Sequence, residues 1–332
     1  MAKKGKTKGP QPWSNARLKT YRRCPNQYRM RYILGLKKKR KELPLYRGDW
    51  LHQLLEVHYT GGDWEERQAS LEAEFFRLFE EEREELGDLP TETRRIFTSY
   101  LMRWAREDKG MTVIDAEIDE EVELPNGEKF RLIIDLLVEE HGSGLWIWDH
   151  KTVGKFMPSN FMLIDSQLAR YFWGAQQLGY NVRGILFNEL ITKPPTVPET
   201  LKSGRLTQRR NLRCDVYTYY RTIKELGQEP GSYKDMLLHL KSQQDEWFRR
   251  TRLPKDPALT QRTVAEMLMT IGEIHRATKD GHFPRTPMKS CVWDCAFADP
   301  CMIELMGGDI SDVVKSRYTT ADERAKEAKS VY

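Results

Sequence analysis

The sequence predicts an α/β protein, a compact strand–strand–strand–helix–strand core set between two helical regions. Three observations carry that expectation. Before Gly110 the apolar residues recur at helical spacing. From Met111 to Thr152 they form three strand-like runs separated by turn residues, and beyond about residue 215 helical spacing returns. The chain of 332 residues, 39% apolar and 31% charged, is long enough for one large domain with a helical satellite. Its 9 Trp, 14 Tyr and 12 Phe exclude disorder over the whole length. No run approaches the roughly 20 apolar residues of a membrane helix. The basic stretch Met1–Gly9 is not followed by the apolar run of a secretory leader, so an intracellular, soluble, cytoplasmic protein without a membrane partner is expected.

Taken in order, residues 1–12 read as a basic flexible tail and 13–48 as an N-terminal helical segment. Ser14, ahead of Arg17, Leu18 and Tyr21, suits the N-cap of a helix that stops before Pro25; Asn26–Leu36 resumes helical spacing. Arg47-Gly48-Asp49 opens a helix carrying Leu51, Leu54, Leu55 and Val57, with His52 beside them. Residues 64–85 predict a Glu-rich amphipathic helix with Leu71, Phe75, Leu78 and Phe79 on its packed stripe, and 91–108 another, so 49–110 form a helical subdomain. The core spans 111–192: strands over Met111–Glu123, Lys129–Glu139 and Leu145–Thr152, a helix over Ser166–Leu178 and a strand over Val182–Leu190. Residues 193–215 are Pro-rich and then basic, which predicts a mobile loop. Helices at about 216–227, 232–250 and 258–278 and a cysteine-bearing stretch, 291–301, make 216–310 the C-terminal region, and 311–332 reads as a tail. There is no internal repeat. No glycine-rich phosphate loop appears, which excludes a doubly wound dinucleotide fold and a helicase motor within the chain.

Charge is distributed unevenly. Residues 1–41 hold 15 Lys or Arg and no acidic residue, while the remaining 291 carry 39 basic against 49 acidic side chains. A basic arm on an acidic body suits a polyanionic partner, and Trp13, Tyr21, Tyr28 and Tyr32 within it suit stacking on unpaired bases. Lys3–Lys8 read more simply as a solubilising tail. Lys202, Arg205, Arg209, Arg210 and Arg213 fit a grip on phosphates and a solvated connector equally well.

The chemistry concentrates on the strands. Alternation places Leu145, Ile147, Asp149 and Lys151 on one face, and Asp135 comes beside them if its strand pairs as a hairpin with the next. Two carboxylates and a lysine among apolar residues are costly unless something satisfies them. A Mg²⁺ or Mn²⁺ ion would do so, with the lysine placing or activating a water, which describes metal-assisted phosphodiester hydrolysis. An Asp-x-Lys alone fits a solvated or paired strand end better. The five cysteines are odd in number and too few for a disulfide scaffold, and fit metal or cluster ligation better.

Asp135 and Asp149-x-Lys151, together with His52 after Gly48 and Gln167-x3-Tyr171 on the following helix, resemble the PD-(D/E)xK nuclease superfamily. Within it they look like the RecB-like iron–sulfur exonuclease branch, of CRISPR-associated and phage-encoded type. The resemblance covers roughly 14–60 and 111–190 plus the cysteine segment. It implies a restriction-endonuclease-like mixed sheet flanked by helices, with a helical insertion and a cysteine-cluster region joining the two chain ends. It further implies Asp135, Asp149 and His52 as ligands of Mg²⁺ or Mn²⁺, Lys151 as the residue that orients or deprotonates water, and Gln167 and Tyr171 at the DNA-facing side. Some relatives use a Glu at the position of Glu117 as an accessory. His58 and His150 match no motif and read as surface or neighbouring-face residues. Cys24 with Cys291-x3-Cys295-x5-Cys301 resembles the ligand set of a 4Fe–4S cluster, with three residues in the first gap where relatives often have two, and with structural Zn²⁺ as the rival. Cys214 reads as an ordinary thiol.

The implied function is a metal-dependent deoxyribonuclease, exonucleolytic on DNA ends and preferring single strands, in recombination, DNA processing or degradation. The same residues allow a DNA-binding protein with an idle core, or an RNA-directed phosphodiesterase. The resemblance is compatible with a helicase or recombination partner, with an oligomer, and with the host cytoplasm for a phage-encoded chain.

Overall fold

The computed structural model describes residues 11–40, 42–254 and 256–320; the Lys3–Lys8 stretch and the last dozen residues lie outside them. Trp13–Ser14 form a short strand (β1), and Ser14 then caps helix Asn15–Arg23 (α1) by accepting the Arg17 N–H at 3.3 Å. Pro25 starts a second helix, Pro25–Tyr28 (α2), which runs on as a π turn through Ile33 to the two-residue strand Lys37–Lys38 (β2). Four helices make the next region: Leu43–Tyr59 (α3), Trp64–Phe76 (α4), Glu80–Leu86 (α5) and Leu89–Trp104 (α6). The single helix expected over 64–85 is broken where Phe79 adopts extended backbone, leaving its ring exposed rather than on the packed stripe.

The three expected core strands follow as Met111–Glu123 (β3), Lys129–Glu140 (β4) and Gly144–Val153 (β5). After them come helices Ser159–Ile164 (α7) and Ser166–Gln177 (α8) and strand Gly184–Ile191 (β6). The C-terminal part holds Val216–Glu225 (α9), Lys234–Ser242 (α10), strand Phe248–Pro254 (β7), Pro257–Asp280 (α11), Ala298–Leu305 (α12), Ser311–Arg317 (α13) and Tyr318–Thr319 (β8).

The sheet is mixed. β3 lies antiparallel along the whole of β4, β5 runs parallel to β6, and β7 closes the far edge antiparallel to β6. β4 pairs with β1 only at Phe130–Arg131 and with β5 only over Leu136–Glu140. Both must use the edge that β3 leaves free, so residues 132–135 sit between them without a strand partner on that side. Part of 232–250, expected as helix, contributes β7 instead. Its arginines Arg249, Arg250 and Arg252 hide the apolar alternation of a strand, and each is neutralised by a distant acid: Glu189, Asp108 and Glu140.

Each face of the sheet is covered by helices. On one, Leu18, Tyr21, Phe172 and Ile271 of α1, α8 and α11 pack on Leu132, Ile134, Ile147 and Ile185. On the other, Leu51, Leu54 and Phe97 of α3 and α6 meet Leu136, Trp146, Trp148 and Leu186. Each such buried side chain contributes roughly 1.5–3 kcal/mol. Gly174 lets α8 approach closely, since a Cβ there would come within 2.7 Å of Leu132 Cδ1.

Residues 193–215 are anchored, contrary to the expected mobile loop. Leu206 and Cys214 enter a small core with Tyr219, Tyr233 and Leu240, the Tyr219 hydroxyl donates to the Thr207 carbonyl at 2.9 Å, and Arg213 stacks 4.5 Å over Trp247. Residues 311–319, expected within a tail, form α13 and β8. β8 pairs with β2, and Tyr318 packs with Met30, Leu36 and Phe297, so residues 30–38 and 297–319 meet. Among the described residues no helix is long and apolar enough to cross a membrane.

Arg250 joins the helical region to the sheet from within. Its guanidinium pairs with Asp108, lies 4.0 and 4.5 Å from the rings of Trp104 and Trp148, and donates to the hydroxyls of Tyr59 and Tyr100. Replacing one member of such a buried pair strands the other charge. Arg250→Met is therefore expected to cost about 3–5 kcal/mol in urea unfolding, whereas Arg40→Ala, whose partner Glu85 is solvent-exposed, should cost under about 1 kcal/mol.

Candidate active site

The parting of β5 from β4 creates the site. Their ladder ends at Leu136↔Trp148, and one residue further the two strands diverge with Asp135 and Asp149 at the fork. The Asp135 carboxylate bridges the gap by accepting the backbone N–H of His150 at 2.6 Å on Oδ2. Lys151, two residues along the same face, places Nζ 2.8 Å from Asp149 Oδ1 and 2.7 Å from Oδ2. Asp149 is 3% exposed, so its carboxylate is enclosed together with that ammonium.

α8 reaches the fork from one side. Asp165 caps that helix by accepting the Gln167 N–H at 3.0 Å. Gln167 then projects Nε2 to Asp149 Oδ1 at 3.3 Å and to the Tyr171 hydroxyl at 2.8 Å, so the helical one-turn spacing lets Tyr171 brace the residue that holds the carboxylate. α3 approaches from another side. Gly48 permits this, because a Cβ there would lie 3.0 Å from Thr152 Oγ1 at the end of β5. His52, the next turn of α3, thereby lies close enough to Asp149 and Lys151 to feel both charges.

Burial sets the electrostatics. It raises the Asp149 carboxyl to about 6, with Asp135 adding to the shift and Lys151 opposing it, and it raises Asp135 as well. Burial works to lower the pKa of Lys151, but Asp149 and Asp135 outweigh it and the ammonium is strengthened. His52 is driven down by burial and by Lys151, which keeps its imidazole neutral at physiological pH.

Two acids extend the site beyond Asp135. Glu117 lies opposite it, bracketed by the pairs Ala116↔Leu136 and Ile118↔Ile134, just past a β-bulge and at φ +48, a strained value for a residue with a Cβ. Burial and the neighbouring charges of Asp135 and Glu56 raise its carboxyl to about 7. Glu56, one turn beyond His52 on α3, was not singled out from sequence; its His-x3-Glu spacing was the available signal.

His150, expected to be a surface or neighbouring-face residue, is buried on the opposite face of β5, stacked on Tyr59. Arg250 Nε can only donate, so its 3.4 Å bond to Asn188 Oδ1 fixes that amide's orientation. Asn188 Nδ2 then donates to Tyr100 and, at 2.7 Å, to His150 Nδ1, which leaves the imidazole proton on Nε2. This polar network holds the strand between Asp149 and Lys151 from behind.

Among the described residues no three His, Cys, Asp or Glu side chains converge to hold a metal ion. The predicted ligand set His52, Asp135 and Asp149 is therefore not assembled as a closed cage. The carboxylate pair fits a hard cation in another way: Mg²⁺ is commonly held by one or two carboxylates, with waters and substrate phosphates completing its shell. Asp149, buried and held by the Lys151 ammonium and the Gln167 amide, supplies the anionic oxygens such an ion requires.

The cysteine expectation meets a different result. Cys24 and the 291–301 segment are brought together: Thr286 N–H donates to Cys24 Sγ at 3.4 Å, Asn26 Nδ2 to Cys301 Sγ at 3.4 Å, and Arg23 pairs with Asp294 at 2.9 Å. The four thiols, however, form no metal-holding group among the described residues, so neither the 4Fe–4S cluster nor its Zn²⁺ rival is supported. Packing of Met30, Leu36, Phe297 and Tyr318 joins these segments instead. Cys214 is a buried thiol.

The family model of the PD-(D/E)XK nuclease superfamily matches residues 12–302, and the chain belongs to that superfamily. No curated protein matches the chain.

The raised carboxyl of Asp149 fixes a sign. Between its ordinary value near 4 and about 6 the folded protein holds a proton that the unfolded chain has released, so this group's contribution to stability falls as pH rises through that window. Thermal melts in EDTA should show wild type losing stability relative to Asp149→Asn from pH 4 to 6, and Mg²⁺ should restore the wild type only.

Proposed function

We propose that this PD-(D/E)XK nuclease hydrolyses phosphodiester bonds of DNA, working from ends and preferring single strands. The observation that supports this most directly is the buried pair Asp135 and Asp149 beside one ammonium, with Gln167 bonded to Asp149 and Tyr171 bonded to Gln167. Nothing in a purely structural strand end calls for two buried acids whose charges are half-neutralised. Nucleases of this superfamily typically use Mg²⁺ or Mn²⁺.

Asp135 and Asp149 would hold the divalent cation, with the neutral imidazole of His52 adjacent. When bound, the cation polarises the scissile phosphate and acidifies a water. Lys151 stays protonated at neutral pH because both acids strengthen its ammonium. That favours a role in donating to the attacking water or to the phosphoryl oxygens as negative charge develops, over a role as the base. Gln167 holds Asp149 in place through its amide and Tyr171 braces Gln167, while Tyr171 itself, its pKa raised by burial and by Asp149, remains a neutral hydroxyl. The basic residues of α1 favour a nucleic-acid strand as the polyanion.

Wild type and Asp149→Ala are to be compared on end-labelled single- and double-stranded DNA and on circular single strands, with Mg²⁺, Mn²⁺ or EDTA. Metal-dependent cleavage of linear strands that disappears in Asp149→Ala is expected, with circles spared. Rapid cutting of circles overturns the end requirement, and silence with every metal overturns the nuclease reading. Lys151→Met should lower kcat by about 10²–10³-fold while the affinity for DNA in EDTA, measured by fluorescence anisotropy, changes little.

A further inference from the structure

α7 combines a buried anchor with an outward apolar face. Met162 is fully buried, whereas Phe161, Leu163 and Ile164 beside it are 48%, 55% and 73% exposed. A contiguous apolar surface of this kind on a short surface helix marks an interaction site more often than a random one. Both ends of the segment are fastened to the active site. At its C-terminal end the chain passes directly into Asp165, which is buried, caps Gln167 and carries a charge that Lys151 senses; Gln167 in turn contacts Asp149. At its N-terminal end the Met157 N–H donates to Glu189 Oε1 at 2.8 Å. Glu189 stands opposite Lys151 in the β5–β6 ladder and binds Arg249 at 2.7 Å, and Arg249 lies 4.7 Å over the ring of Phe156. Residues 156–165 therefore form a braced lip at the fork rather than a loose connection.

A cation stands beside this lip. Lys19 pairs with Asp165 at 3.2 Å while its side chain remains 56% exposed. An apolar surface with a flanking ammonium, continuous with a site for phosphodiester chemistry, matches the two faces of an unpaired nucleotide: a flat base and a phosphate. A duplex keeps its base faces inside the stack and cannot offer them without unstacking, which costs a few kcal/mol per step. We propose that Phe161, Leu163 and Ile164 receive the bases of unpaired nucleotides next to the scissile phosphate, and that this contact is the source of single-strand preference. The inference rests on the nuclease reading above and names the part of the substrate that the lip recognises.

The test uses the full chain and two independent readouts. In EDTA, a single strand carrying 2-aminopurine is titrated with wild type and with the Phe161→Ser/Ile164→Ser variant, whose exposed positions leave the core intact. In Mg²⁺, cleavage by wild type is compared on intact strands and on strands with abasic residues flanking the cut position. Binding about tenfold weaker in the variant, with loss of the 2-aminopurine signal, is expected. Wild type should also cleave the abasic strands about tenfold more slowly, a difference that the variant loses. Equal cleavage of abasic and intact strands by active wild type overturns the lip and leaves the nuclease standing. A wild type that cuts nothing yet gives the 2-aminopurine response overturns the nuclease reading and leaves the lip. Unchanged binding in the variant, or a variant altered only in self-association, also overturns it.

Discussion

Two carboxylates and one ammonium, enclosed where β5 leaves β4, are the constraint from which the rest of the structure follows. In water these charges would interact by about 1 kcal/mol; in a poorly solvated fork they shift one another's ionisation and demand a neutralising partner. The fold does not relax that demand. Asp135 is held by the His150 backbone, Asp149 by Gln167 and Lys151, and the strand between them by the His150–Asn188–Arg250 network. Every restraint keeps the acids close together beside that single ammonium. A scaffold that spends stability in this way is suited to hold a cation against a phosphate.

Two opposed helical layers make the fork rigid. α8 and α11 cover one sheet face and α3 and α6 the other, so the elements that deliver Gln167, Tyr171 and His52 are also those that bury the core. The same helices thus pack the core and line the candidate site, and Gly48 and Gly174 sit where these helices approach the strands closely. The strained backbone of Glu117 lies at the same place, and strain of this kind persists only where surrounding contacts over-determine it.

Much of this architecture was legible along the chain. Alternation between Met111 and Thr152 located β3, β4 and β5, and the three-residue gap in Gln167-x3-Tyr171 located a pair of side chains on one helix face. β7 was not legible, because three arginines mask its pattern and their acidic partners come from other elements. The loop at 193–215 looked mobile because proline and basic residues dominate it, yet Leu206 and Cys214 find a core supplied by α9 and α10.

The sequence by itself determined which residues make up the candidate site: which acids, which lysine and which helical pair stand in which order, since strand and helix periodicities are local properties of the chain. Tertiary structure alone decided where β5 departs from β4, that Glu117 comes to lie near Asp135 and Glu56, and that His150 lies inside. It also decided that the cysteine segments meet by packing without converging on a metal. Each of those outcomes depends on the register and distance of elements far apart in sequence, and burial, which sets the charge state of every group in the fork, is a property of the assembled fold rather than of any residue in it.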